Sequence, residues 1–162
     1  MIIKWVEIHA KIYSSPLPAN KKENQMINLI IFLIFNIYST TNSLSVKVDN
    51  IQSDDGYLYV SLYSNDQGFP IDISKADKTL KVKAKKGFVV VQFKEIETGN
   101  YAISVYHDVN SSGKLETSFV GIPKEPIGVS NNAKGFMGPP SFKDCNFSIS
   151  STNTIKINLG DL

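Results

Sequence analysis

Ten residues from His107 to Glu116, "HDVNSSGKLE", gather side chains whose types and spacing could do chemistry. With Asp108 as the first position of a calcium loop, Asn110 is third, Ser112 fifth and Glu116 ninth. Oxygen donors at alternate positions, a glycine at the sixth (Gly113) and an apolar residue at the eighth (Leu115) are what such a loop requires. Lys114, at the seventh, would lend its carbonyl. The twelfth position is Phe119, where a bidentate glutamate should close the cage, so oxygens from "PKE" or "SNN" further along would have to complete the shell. The metal reading is therefore calcium on Asp108, Asn110, Ser112, Lys114 and Glu116. The competing reading is a polar turn, with Asp108 and Asn110 bonding nearby amides and Gly113 at positive φ.

His107 precedes a carboxylate that could orient its imidazole as a general base. Ser111, Ser112 and Ser130 lie nearby in sequence. Nothing around them resembles a nucleophile elbow, and in a strand His107 reads more simply as a hydrogen-bonding anchor for the long segment beyond it. A hydrolase centred on His107 and Asp108 stands as the alternative to a protein without enzymatic activity. Further on, "SNNAKG" offers a hydroxyl and amides, so His107, Ser130, Asn131 and Asn132 form a candidate binding loop for a protein, glycan or small ligand.

The elements that must position these groups are strands. "LSVKVDNI" and "YLYVSLYS" alternate apolar and polar residues about the turn "SDDG", and "TLKVKAKKGFVVVQF" reads as two strands broken near Lys85 to Gly87. "YAISVYH" is a further strand, and "CNFSIS" and "TIKINL" are expected to close the domain as a hairpin. "GNYAISV" has the form of a tyrosine corner, with the Tyr101 hydroxyl bonding back to nearby backbone. About seven short strands imply an all-β antiparallel sandwich, with the strands near Ser45 and Thr154 at its edges. The segment 108–144 lacks periodicity yet holds Leu115, Phe119, Val120, Ile122, Ile127, Val129, Phe136, Met137 and Phe142, so it is expected to be one long ordered loop that buries these side chains.

Composition narrows the function classes. Every basic residue is a lysine, and from Leu44 onward 13 Lys face 13 Asp plus Glu. Without arginine forks or a basic field, nucleic acid is not an expected partner. Cys145 is the single cysteine, which rules out an internal disulfide and reads as a small buried strand residue. Lys21 and Lys22 precede an apolar run from Ile27 to Ile37, and small residues follow at Thr41 and Ser43. That run is about half the roughly 20 residues that span a bilayer, so residues 26–43 read as a signal peptide. Residues 1–25 then form an upstream extension outside the native mature protein. Residues 44–162 form a single domain without a transmembrane segment, exported to the periplasm or the medium.

The chain from Leu44 resembles a bacterial secreted family of unknown function, DUF2141. The resemblance rests on "GNYA", "HDVNSSGKL", "GIPKE", "GVSNN" and "GPPSF", in that order, and extends to "LSVKVDNIQSDDGYLYVSLYS". Pro126 departs from the family pattern, which puts a glycine there. The resemblance implies export and an immunoglobulin-like or transthyretin-like sandwich, and it implies no established activity. The reading is a non-enzymatic binding or structural module of the bacterial envelope. A purely structural domain is a further alternative.

Overall fold

The structure, a computed structural model, describes residues 25, 26, 29, 42–119, 122–136 and 138–160. All of the upstream extension but Gln25, and nearly all of the expected signal peptide, lie outside the described residues. Among the described residues, no helix is long and apolar enough to cross a membrane.

Eight strands form two sheets: β1 (Asn42–Ile51), β2 (Tyr57–Tyr63), β3 (Lys78–Lys83), β4 (Gly87–Ile96), β5 (Gly99–Asp108), β6 (Ile127–Val129), β7 (Phe147–Ile149) and β8 (Asn153–Asn158). One sheet runs β4-β1-β8, the other β3-β2-β5-β6, with β7 also on β5. Helical structure in this part is limited to α1 (Phe142–Cys145) and two single 3-10 turns, Ile73–Lys75 and Ser130–Asn132. The chain is an all-β sandwich.

Period-two alternation places Leu44, Val46 and Val48 of β1 and Leu58, Val60 and Leu62 of β2 inward. They meet Val91 and Phe93 of β4, Ile103 and Val105 of β5, and Ile157 of β8 in one core. The tyrosine corner is present, with the Tyr101 hydroxyl donating to the Glu97 carbonyl at 3.2 Å. At the β1–β2 turn, Gly56 has φ +67°, and a Cβ there would stand 1.8 Å from the Asp108 carbonyl oxygen, so the turn packs directly on the end of β5.

Two expectations about pairing are corrected. β7 and β8 do not form a hairpin: β7 pairs with β5, whereas β8 pairs parallel with β1. β1 is therefore central, not an edge, whereas β8 is an edge as expected; the edges are β4 and β8 in one sheet and β3 and β6 in the other. Lysines that discourage edge pairing sit on edge strand β3, at Lys78, Lys81 and Lys83, and on β4 and β8, at Lys94 and Lys156. Cys145 is fully buried as expected, but it ends α1 and is not in a strand.

Candidate functional site

β5 has β2 along one edge and two short strands along the other, β6 beside Ser104–Tyr106 and β7 beside Gly99–Tyr101. The gap between β6 and β7 leaves the Ile103 amide without a strand partner. Ser130 fills it: its Oγ accepts the Ile103 N–H at 2.9 Å and donates to the Cys145 carbonyl at 2.6 Å, fully buried. Asn131 Nδ2 donates to the carbonyls of Asp144 and Asn146, and Asn132 Oδ1 accepts the Asn158 amide at 2.8 Å. The "SNN" side chains thus fasten the long connection to the sandwich.

The loop after β5 also closes on itself. Asp108 is fully buried, and its Oδ1 and Oδ2 accept the amides of Ser112 and Gly113 at 2.8 and 2.9 Å. Asn110 Oδ1 accepts the Ser112 amide as well, and Asn110 Nδ2 donates to Glu116 Oε1. Ser112 Oγ donates to the Lys114 carbonyl. Gly113 has φ +77°. These contacts are those of a hydrogen-bonded turn, and the oxygens that would face an ion mostly face N–H groups.

Alternation sends His107 and Asp108 to opposite faces of the sheet. His107 pairs with Leu58 on the core side, is buried, and has Nε2 2.8 Å from the Asp55 carbonyl oxygen. Its amide donates to Pro126 O. The Ser112 and Ser130 hydroxyls bond elsewhere, and nothing in this geometry points to a hydrolase. Nor does the structure bring His107 together with Ser130, Asn131 and Asn132: the imidazole bonds the β1–β2 turn, the "SNN" groups bond α1 and its flanks, β5 and β8.

Asp108 belongs to the outer face of the five-stranded sheet, where the sequence placed no site. Rows of that face read Lys83, Tyr57, Asp108 and Lys81, Tyr59, Tyr106, Ile127, with Thr79, Ser61, Ser104 and Val129 next. Tyr59 and Tyr106 stack with centroids 4.8 Å apart and planes 1° from parallel. Lys81 lies 4.2 Å over the Tyr57 ring, and its hydrogen bond to the Tyr59 hydroxyl holds its pKa above the ordinary value. Tyr63 meets Phe69 edge-on, and Phe69 meets Phe142 the same way. Ile73 from the β2–β3 connection and Leu115 from the long connection pack on the tyrosine pair. Both faces of β2 are therefore covered.

Under this cover the Tyr106 hydroxyl is buried with no hydrogen-bond partner, whereas the Tyr63 hydroxyl has the Ser104 and Ser61 hydroxyls beside it and the Glu125 carboxylate has the backbone of Glu116 and Val109. The antiparallel pairing of His107 with Pro126 brings Glu125 beside Asp108, and Glu125 Oε2 accepts the Glu116 amide at 3.2 Å. Burial raises the Glu125 pKa; the Glu116 amide opposes the shift, while the charges of Asp108 and Glu116 add to it. Burial also raises Tyr106 strongly, with Tyr59, Asp108, Glu125 and Tyr63 adding to the shift. The phenol stays protonated. Tyr63 is raised by burial too, against the opposing effect of the neighbouring Ser104 hydroxyl. Among the described residues the ion pairs are those of Lys47 and Lys156 with Asp49, and Lys81 is near enough on this face for the Asp108 charge to help raise its pKa.

Burial of the connection is incomplete. Ile127 and Val129 are buried and Leu115 and Phe142 half-buried, but Phe119, Ile122 and Phe136 face solvent, against expectation. Val120 and Met137 lie outside the described residues. Residues 116–119 and 122–125 bond to each other as an arm, through Lys124 N–H to Glu116 O and Ser118 N–H to Ile122 O. A separate groove of about 220 Å³ runs past β6, with Ile127, Val129, Ala133, Lys134 and Asn158 in its walls. Tyr106 does not line it.

A family model described as an uncharacterized protein conserved in bacteria, DUF2141, matches residues 46–157. The chain belongs to the DUF2141 family. The match runs from β1 to β8 and takes in the whole long connection, so the fastening Ser130, the Asp108 turn and Glu125 all belong to this DUF2141 domain. No curated protein and no solved structure matches the chain. Sequence reasoning on this DUF2141 chain reached Glu125 only through "PKE", as a possible oxygen donor to the loop, and took Tyr63 and Tyr106 as cross-strand packers and not as a site. The signal was there in part: tyrosines alternate along β2 where an exposed sheet face would carry charged side chains.

Proposed function

We propose that this chain is an exported, non-enzymatic binding module of the bacterial envelope, and that its ligand is taken on the Tyr106–Glu125 face beneath the long connection. One observation carries this reading: the Tyr106 hydroxyl is buried on that face with no hydrogen-bond partner. Leaving a buried polar group unpaired costs about 1–3 kcal/mol, and phenylalanine would serve as well if packing were the only role. Export is supported by the pattern of residues 26–43. Thermal unfolding with a panel of envelope glycan fragments, short peptides and calcium tests the reading. A ligand-dependent rise in Tm that is lost in Tyr106→Phe supports it, and no rise with any probe would leave the purely structural domain. N-terminal sequencing of the protein recovered from the periplasm tests export, with cleavage before Leu44 or nearby as the expected result.

Calcium is the second reading, and the position of Glu125 favours it: the "PKE" carboxylate does come to the loop. The present arrangement does not fit the ion well. Asp108 is doubly occupied by amides, and among the described residues no three acidic or imidazole groups converge on one point. A Tm that rises in millimolar calcium and falls in chelator, with both effects lost in Asp108→Asn, would establish the ion.

A further inference from the structure

Two tripeptides of the form Asn-X-Ser, with X other than proline, lie in the domain: Asn110-Ser111-Ser112 and Asn146-Phe147-Ser148. This is the acceptor pattern for transfer of an N-linked glycan to an exported chain. Each asparagine also has an aspartate two residues ahead of it, Asp108 and Asp144. Spacing does not choose between the two, but their surroundings do.

At Asn110 every group is engaged. Its Oδ1 accepts the Ser112 amide, its Nδ2 donates to Glu116 Oε1, and Ser112 Oγ donates to the Lys114 carbonyl. Asp108 is fully buried, with both oxygens on backbone amides. A transferase would have to dismantle the turn to reach them.

Around Asn146 the same groups face solvent. Asn146 is the C-cap of α1, extended at φ −73° and ψ 148°, and leads directly into β7. Alternation then puts Asn146 and Ser148 on the outer side, both exposed, and turns Phe147 and Ile149 toward the core. Asp144 is exposed as well. β7 is three residues long and, among the described strands, pairs with β5 alone, so its other edge is open. The Asn146 carbonyl is held by Asn131, which leaves its side-chain amide to project. Ser148 Oγ donates to Asn100 Oδ1 at 2.6 Å, an exposed contact whose release leaves the β5–β7 ladder in place.

Resting on the export proposed above, we propose that Asn146 is a glycan attachment site. The donor class is an oligosaccharide joined through its anomeric carbon to a lipid diphosphate. Nδ2 of Asn146 bonds to that carbon and gives up one proton. The carbon–oxygen bond to the diphosphate breaks, and its electron pair leaves with the diphosphate. Ser148 Oγ and the Asp144 carboxylate are the groups by which the transferase recognises the site, a hydroxyl and a charge that a basic side chain can pair with.

The test incubates the folded full chain with a purified bacterial oligosaccharyltransferase and its lipid diphosphate-linked oligosaccharide, and reads intact mass and a peptide map. The expected result is a mass gain of one oligosaccharide on Asn146, lost in Asn146→Gln and unchanged in Asn110→Gln. Ser148→Ala and Asp144→Asn should each slow the gain about tenfold, as loss of one recognition contact does. No mass gain, or a glycan on Asn110, overturns the assignment, and so does a gain seen only after unfolding in urea. The N-terminal sequencing above separates this from export. An uncleaved chain overturns the export reading and this site with it, whereas a cleaved chain that takes no glycan overturns the site alone.

Discussion

Ser130 Oγ holds two buried backbone groups, the Ile103 amide and the Cys145 carbonyl. Ser130→Ala leaves both unpaired, and the expected loss is about 2 kcal/mol. Urea unfolding should show a lower midpoint with an unchanged slope; an unchanged midpoint would mean that water replaces the hydroxyl. Phe119 and Phe136 present the opposite case, large apolar side chains in solvent. Phe119→Ser and Phe136→Ser should each change stability by no more than about 0.5 kcal/mol in the same assay. A larger loss would show that these rings pack on something. Glu125 differs again, because burial raises its pKa above the ordinary 4.5, so the folded chain holds this proton more tightly than the unfolded one. That contribution to stability is present below about pH 4.5 and is lost as the pH rises through the folded value. Glu125→Gln should therefore raise Tm at neutral pH, with the gain shrinking as the pH falls through the carboxylate range. A gain independent of pH would contradict the assignment.

The strands themselves were legible and their neighbours were not. Alternation in "LSVKVDNI" and "YLYVSLYS" tells which side chains face the core, and the structure agrees. The same alternation is silent about which strand lies alongside, which is why β7 and β8, adjacent in sequence, could be read as a hairpin although they join different sheets. β6 spans Ile127–Val129, too short for any period to show. Its existence depends on the Ser130 fastening and on the bridge to Gly160, both long-range. α1 was missed for a similar reason, since a single turn capped by Ser141 has no helical period. Cys145 ends that turn, and burial pushes its thiol up to about 11. A maleimide should therefore modify it only on unfolding, at a rate set by the opening of α1 from β5. Rapid labelling of the native protein would mean that α1 is undocked.

Across the whole molecule, the site was legible only where local spacing defines it. The Asp108 turn is local, and its glycine and Asx pattern show in the sequence. The Tyr106–Glu125 face is assembled from β2, β5 and the arm, which are brought together by sheet pairing across tens of residues. A sandwich normally leaves the outer face of an antiparallel sheet wet, with polar side chains. Here two connections cover that face, and the Tyr106 hydroxyl beneath it goes unpaired.

The most direct measurement is the stability of Tyr106→Phe without any added ligand. If the Tyr106 hydroxyl is kept for a ligand and is unpaired in its absence, deleting it removes a desolvated polar group. The variant should then unfold at a higher denaturant concentration than the wild type, by about 1 kcal/mol. A variant less stable than the wild type by a similar amount would show that the hydroxyl is already satisfied within the fold, and the face would then be ordinary core.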